Sequence, residues 1–409
     1  MSVSSVVIIG GGISGFSCAR ELRAGGFTGS LTIVDPEGLP YDRPPLSKEL
    51  LTGEFATDDT LLAPASWYED NDVAIVTDRA DRIEPDTGRI VLESGDALQP
   101  DAIVLATGGS ARRLAIPGGD LPGILTLRTK ADSLALKERL VPGARVAIIG
   151  AGLIGAEVAS TAAKNGCEVT LIDPAPIPLV PAVGPEIAEA LHAMHAEHGI
   201  TCFTGLPTEI THDGEAFAID LDGAHDTEGK TMIAADVVLV AIGIDTYCPL
   251  AASAELEQEG GVLVDAGGRT SNERIWAIGD VARLRNEDGS LARRHEHWES
   301  AANDGKAAAA SILGAELPKF GSSWFWSDRH GVHVEGIGLM SEPGTTVIRE
   351  VEGRPQLAFR VADDGRVIGA VAIDGGMAVR AARRIIDRGK IVDPADLANP
   401  DIDVKKLAR

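Results

Sequence analysis

The chain has 409 residues, 44% of them hydrophobic, and sets 61 acidic against 37 basic side chains for a formal net charge of −24. That length holds two or three domains, and that charge excludes nucleic acid as a partner unless a strong basic patch stands apart from the rest. The four cysteines, Cys18, Cys167, Cys202 and Cys248, form no close pair, which excludes a cysteine-ligated iron–sulfur centre or local zinc site and fits a reducing compartment. Each cysteine is expected to be a small buried hydrophobe. No apolar run approaches the roughly 20 residues of a membrane span, and a strand begins almost at the N-terminus, leaving no room for a signal peptide. The expectation is a cytoplasmic protein with no membrane contact and no bound metal.

In chain order, Val6-Val7-Ile8-Ile9 reads as a strand buried on both faces, followed by Gly10-Gly11-Gly12-Ile13-Ser14-Gly15 and a helix over 13–24. Glycines at these positions permit a tight turn, close approach of backbone to a pyrophosphate and close packing of helix on sheet. The helix then points its first N–H groups at the phosphates. The next strand, 31–34, ends in Asp35 at the distance where an acid accepts from a ribose hydroxyl. A proline-rich loop, Leu39 to Lys48, leads into a helix, and Ala102-Ile103-Val104-Leu105-Ala106-Thr107-Gly108 is a buried strand closed by a glycine turn.

The pattern then repeats about 140 residues on. Strand 145–149 runs into Gly150-Ala151-Gly152-Leu153-Ile154-Gly155, helix 153–165 and strand 168–172, which ends in Asp173; the run to Ala241-Ile242-Gly243 matches the first unit's last strand. One glycine fingerprint is weak evidence, whereas two in full register predict two bound dinucleotides. After residue 245, the strand ending Gly279-Asp280 and an Ala-rich helix from Trp298 to Leu313 lack a fingerprint and are expected to complete the first domain. The expected fold is α/β, with two Rossmann-like dinucleotide-binding domains, the second (111–244) inserted in the first (1–110 and 245–315), plus a C-terminal α+β domain (316–409). In that last part, strands are predicted near 332–339, 345–351, 356–361 and 366–373, and a basic helix from Met377 to Arg388.

Several segments together carry a family resemblance over nearly the whole chain: Tyr41-Asp42-Arg43-Pro44-Pro45-Leu46-Ser47-Lys48, the second fingerprint on to Glu157, Gly279-Asp280, Glu296-His297-Trp298 and Trp324-Phe325-Trp326-Ser327-Asp328. The chain resembles the FAD-dependent, NADH-using ferredoxin reductases of bacterial oxygenases and cytochromes P450, within the glutathione-reductase-like superfamily. The resemblance implies FAD on the first fingerprint and NADH on the second, Lys48 near the flavin edge and paired with Glu157 as the catalytic residues, and Arg43 in contact with FAD. Asp280 would meet the ribityl hydroxyls, though it could equally cap the following helix. Trp298 and Trp326 are placed near the flavin or the acceptor-facing surface, with His297 beside them; a packed imidazole is the plain alternative for His297 and for His295. For Trp324 and Phe325 the core is favoured.

Asp173 suits the ribose hydroxyls of NADH and would repel the extra phosphate of NADPH. The stretch from Pro174 to Pro181 holds no basic residue, where related reductases often carry arginine. No cysteine lies between Cys18 and Cys167, so no thiol can relay electrons beside the flavin and they must leave to an external acceptor. The partner expected is an acidic [2Fe-2S] ferredoxin, then an oxygenase or cytochrome P450, with Arg380, Arg383, Arg384, Arg388 and Lys390, together with Arg293, Arg294 and Arg329, as the docking surface. Arg329 stands where the family commonly has Gln. The chain is expected to be a monomer or homodimer. A rubredoxin reductase, an NADH oxidase, or an NADH-binding signalling protein resembling apoptosis-inducing factors stays open at this stage.

Overall fold

The computed structural model describes residues 3–222, 231–294 and 296–409; His295 lies outside them. Contacts divide the chain into two units: 1–43 with 56–110 and 244–320, and 44–55 with 111–243 and 321–409.

In the first unit the strand Ser5–Ile9, β-branched from Val6 on, is the middle of a five-stranded parallel sheet. It lies between Ser30–Val34 and Ala102–Leu105, with Val73–Val76 and Ile275–Ala277 at the edges. Strands in such positions are covered on both faces, which is why they read as unbroken apolar runs. Ile8, Ile33 and Val104 face one core with Trp276, and Ile9, Ile103 and Leu105 face another with Cys248 and Val262. The late strand Ile275–Ala277 pairs in register with Ile103–Leu105. Helix Trp298–Leu313 packs on helix Ile13–Ala24 at a point where Gly305 leaves no room for a side chain: a Cβ there would lie 2.4 Å from the Ser14 carbonyl oxygen.

The second unit repeats the scheme around Arg145–Ile149, flanked by Glu168–Asp173 and Val237–Val240. A three-stranded antiparallel sheet, Leu206–His212, Phe217–Asp222 and Thr231–Ala235, lies next to it in sequence. The same unit holds a five-stranded antiparallel sheet in the order Trp324–Arg329, Val332–Gly338, Val367–Ile373, Arg354–Val361, Thr345–Val351. Its alternating side chains serve two helices. Phe359, Ala370 and Ala372 pack against Val379, Ala382 and Ile385 of helix Gly376–Asp387, while Ala358 and Val371 face Ile187 and Leu191 of helix Pro185–Glu197. The segment around Trp324, given no element by the sequence, is the edge strand of this sheet. Phe325 is buried and Trp324 only half-buried.

The helix on that second face carries His195, 2% exposed, whose Nδ1 lies 2.9 Å from Nε2 of His330; the His198 ring stacks on His330 at 4.2 Å. Burial, with Arg329 and the neighbouring imidazoles adding to it, pushes His195 down to about 3 and His330 to about 4. Both rings are therefore neutral in the folded chain. A depressed folded pKa in a histidine means that unfolding takes up protons below the ordinary value near 6.5, so this contribution is whole above pH ~6.5 and shrinks as pH falls toward 4. His195→Leu is expected to flatten the acid limb of a thermal-midpoint-against-pH profile over that interval; an unchanged limb would assign the acid loss elsewhere.

Candidate functional site

Each fingerprint builds a cradle. Gly10 has φ +112° and a Cβ on it would meet the Ala106 carbonyl oxygen at 2.3 Å; Gly150 has φ +105° and would meet Ala241 at 2.4 Å. Only glycine suits such positions. Gly15 and Gly155 likewise pack on the carbonyls of Gly10 and Gly150. The middle glycines differ. A Cβ on Gly12 would meet nothing nearer than Arg43 Nε at 3.9 Å, and on Gly152 nothing within 4 Å. Internal packing therefore does not demand glycine there. What a side chain would fill is the open space before the N-terminus of the helix, where N–H groups without helical partners favour an anion. The residues present fit a dinucleotide pyrophosphate in both units, with Ile13 and Ser14, and Leu153 and Ile154, heading the two helices.

The two acids finish the cradles from the neighbouring strand. Asp35 Oδ2 accepts from Gly11 N–H at 2.6 Å and Oδ1 from Glu37 N–H at 2.8 Å; Asp173 accepts from Ala151 at 2.8 Å and Ala175 at 2.9 Å. Each oxygen keeps a further lone pair for a hydroxyl donor. Both acids thus also hold the glycine turn in shape, a task that sequence spacing did not suggest. Around the first cradle, Gly108 turns the chain at φ +66°, Thr107 Oγ1 lies 3.8 Å from Cys248 Sγ, and Arg43 lies over the Tyr41 ring. Gly279 at φ +70° lies so close to helix Ile13–Ala24 that a Cβ would meet Ser14 Oγ at 2.8 Å, and Arg294 donates to the Asp280 carbonyl. His297 is the N-cap residue of the helix that Trp298 opens, and Trp298 Nε1 donates to Asp42 Oδ1 at 2.7 Å. Around the second cradle, Gly243 has φ +97° with open space about it.

Within the second unit a polar network surrounds Lys48. Its ammonium is 3.6 Å from Glu157 Oε1, 2.6 Å from Asp328 Oδ2 and over the Trp326 ring, which stacks on Trp324. Glu157, 4% exposed in the first turns of its helix, accepts from Ser47 Oγ at 2.5 Å and Ser327 Oγ at 2.6 Å. His333 Nδ1 closes on Asp328 Oδ1 at 2.5 Å. Burial pushes the Asp328 carboxyl up, but the hydrogen bonds from Lys48 and His333 outweigh it and leave Asp328 below the usual carboxylate range. Ser47, Ser327 and Asp328 stand in segments that carry the family resemblance, but sequence reasoning assigned them no role, and it did not single out His333. The alternation of Trp324, Trp326 and Asp328 along a strand was the available signal, since it puts all three on one face.

Arg329 corrects the expected docking surface: it is 2% exposed, donates to Ser327 Oγ, and its Nε finds no partner among the described residues. It cannot greet a partner protein. Cys18 and Cys248 are buried as expected, with the Cys18 thiol pushed up to about 12 by burial, while Cys167 and Cys202 are half-buried. Among the described residues no helix is long and apolar enough to cross a membrane, and no group of three ligating side chains could hold a metal ion.

Known proteins with this arrangement were found by sequence and by structure. Residues 4–305 match the pyridine nucleotide-disulphide oxidoreductase family and residues 324–408 the reductase C-terminal domain. The ferredoxin–NAD(+) reductase component of the anthranilate 1,2-dioxygenase system of Burkholderia cepacia is 36% identical over 99% of both chains. The ferredoxin reductase for the CYP199A2 system of Rhodopseudomonas palustris superposes with a TM-score of 0.92 at 32% identity, covering 99% of this chain and 100% of the other. The putidaredoxin reductase of a covalent complex with putidaredoxin superposes with a TM-score of 0.90 at 27% identity, covering 99% and 98%. With both modules matched and the two cradles intact, the chain belongs to the pyridine nucleotide-disulphide oxidoreductase family, in the form that ends in the reductase C-terminal domain.

Proposed function

We propose that this chain takes a hydride from NADH onto FAD and passes single electrons to a ferredoxin that feeds an oxygenase or cytochrome P450. The observation that carries this reading is the pair of open cradles at Gly12 and Gly152 in a chain with no cysteine between Cys18 and Cys167. Bound FAD supplies the change from a two-electron donor to one-electron delivery. The protein binds, orients and selects. Gly10, Gly12 and Gly15, with Ile13, Ser14, Asp35, Arg43, Ala106, Thr107, Gly108, Gly279, Asp280, His297 and Trp298, are assigned to FAD; Trp326 is added from the C-terminal module. Gly150, Gly152 and Gly155, with Leu153, Ile154, Asp173, Ala241, Ile242 and Gly243, are assigned to NADH.

The same reading gives Lys48 and Glu157 the catalytic role, with Asp328 holding the ammonium from its other side. NADH is preferred over NADPH because the Asp173 carboxylate meets a second negative charge there and no cation from 174 to 181 relieves it. The test is NADH oxidation with and without added ferredoxin. Rapid turnover that needs the ferredoxin supports the reading, whereas equal oxygen-driven turnover in its absence refutes it.

The ferredoxin is proposed to be an acidic [2Fe-2S] protein and the site of action the cytoplasm, where the four free cysteines stay reduced. Helix Gly376–Asp387 and the turn after it offer the cations. Arg380 and Arg384 are exposed beside Met377, 68% exposed, while Arg383 is drawn toward Asp387, and Arg388 and Lys390 bond the carbonyls of Ala408 and Leu407. Arg380→Glu with Arg384→Glu is expected to raise the KM for ferredoxin about tenfold and leave reduction of a small dye unchanged. Equal effects on both acceptors, or none on either, would remove this helix from the docking surface.

A further inference from the structure

The network around Lys48 holds a second cation to which the proposed reaction assigns no task. Arg329 ends the edge strand Trp324–Arg329 and is 2% exposed. One of its terminal nitrogens lies 2.8 Å from Ser327 Oγ, and Ser327 Oγ lies 2.6 Å from Glu157 Oε1. A guanidinium only donates and a serine hydroxyl has one proton, so the direction is fixed: Arg329 gives to Ser327, and Ser327 gives to Glu157. Burial draws Arg329 down to about 10, with Glu157 and then Asp328 opposing, and it stays a cation at neutral pH. The neighbouring imidazoles of His195 and His330 are neutral and offer it no counter-charge.

Glu157 therefore answers to two cations, Lys48 directly and Arg329 through Ser327. Lys48 in turn has two carboxylates within reach. Its ammonium stands 2.6 Å from Asp328 Oδ2 and 3.6 Å from Glu157 Oε1, although the Asp328 side chain is 41% exposed and that of Glu157 only 5%. Water screens the exposed pair, so the buried carboxylate would be the stronger hold on a lone ammonium. Glu157 is already served: Oε1 accepts from Ser327 Oγ and the Asp328 N–H, and Oε2 from Ser47 Oγ.

We infer that Arg329 is a positioning residue for Lys48: it meets Glu157 through Ser327 and so leaves the ammonium with Asp328, on the open side of the network. The consequence for turnover rests on the proposed catalytic role of Lys48, whereas the consequence for the network does not. Without the Arg329 charge, Lys48 becomes the cation that Glu157 requires and closes on it.

The two carboxylates make this measurable. In chemical denaturation of the flavin-free chain, Asp328→Asn alone is expected to raise the unfolding constant about fivefold, and in an Arg329→Gln background hardly at all, because Lys48 has already left Asp328. Equal factors in the two backgrounds overturn the inference. In the FAD-loaded enzyme, Arg329→Gln should slow flavin reduction by saturating NADH about tenfold with the KM for NADH unchanged, since a displacement of this order misplaces the ammonium. Arg329→Lys keeps the charge and a donor for Ser327 and should recover most of that rate. Lysine lacks only the Nε–H group, which finds no partner among the described residues. A raised KM at an unchanged rate, or a lysine variant as slow as the glutamine one, also overturns the inference. Arg329→Met supplies a second neutral side chain for both measurements should the glutamine variant not fold. If Lys48→Met reduces its flavin as fast as the wild type, the proposed catalytic role of Lys48 fails, and the denaturation cycle still decides what Arg329 does.

Discussion

A chain carrying Gly12→Val is expected to fold and to purify without FAD. The backbone at Gly12 is extended, with φ −68° and ψ −178°, so a branched side chain imposes no strain. The added atoms enter the space in front of the helix N-terminus. Stability of the flavin-free protein should therefore change by less than about 0.5 kcal/mol, while the visible flavin absorbance per chain disappears. Gly152→Val, at φ −67° with nothing within 4 Å of its Cβ, should keep the flavin and raise the KM for NADH about a hundredfold, close to 2.7 kcal/mol. Gly10→Val is the contrast. Its φ of +112° and the carbonyl 2.3 Å from its Cβ make the fold itself the casualty. Absorbance spectra, thermal unfolding and NADH titration of the three variants separate these outcomes, and a yellow Gly12→Val protein would remove FAD from the first fingerprint.

Glu157→Leu is the second large effect. The carboxylate is 4% exposed and accepts from Ser47, Ser327 and the Asp328 N–H, with Lys48 beside it. Removing it strands two hydroxyls and takes away the larger of the two carboxylate charges that offset buried Arg329. Breaking a buried charge arrangement from one side costs about 3 kcal/mol or more. Asp328→Asn makes the instructive comparison. Its contact to Lys48 is the shorter, 2.6 Å against 3.6 Å, yet its side chain is 41% exposed. Solvent screening limits such a pair to about 1 kcal/mol. Burial rather than distance should therefore order the two variants in chemical denaturation, and a larger loss for Asp328→Asn would contradict this account.

The sheets of both fingerprint units were legible because strands covered on both faces are written as unbroken apolar runs, and the glycine turns mark where they end. Helices Ile13–Ala24 and Trp298–Leu313 begin and end where patterning puts them. The edge strand Trp324–Arg329 was missed because its residues alternate in burial but not in polarity: buried Ser327 and Arg329 share the inward side with Phe325, while Trp324 and Trp326 stand on the other. The network around Lys48 was only partly legible. A pairing with Glu157 was implied, but Ser327 and Asp328 arrive from a segment more than a hundred residues from both Lys48 and Glu157, and Ser47, beside Lys48, bonds Glu157 across 110 residues, so local spacing holds no trace of these contacts. Arg329 misled for a related reason. A charged residue next to an aromatic cluster reads as surface unless its counter-charge, here supplied through Ser327 and Glu157, is known.

The late strand Ile275–Ala277 and the helix seated on Gly305 have a consequence for the living chain. During synthesis the strands of the second parallel sheet, between residues 124 and 240, are all in hand before the first sheet receives its last strand. Domains tend to fold as units while the chain emerges. The first unit therefore receives its edge strand and the helix packed on it last, once about 300 residues have been made.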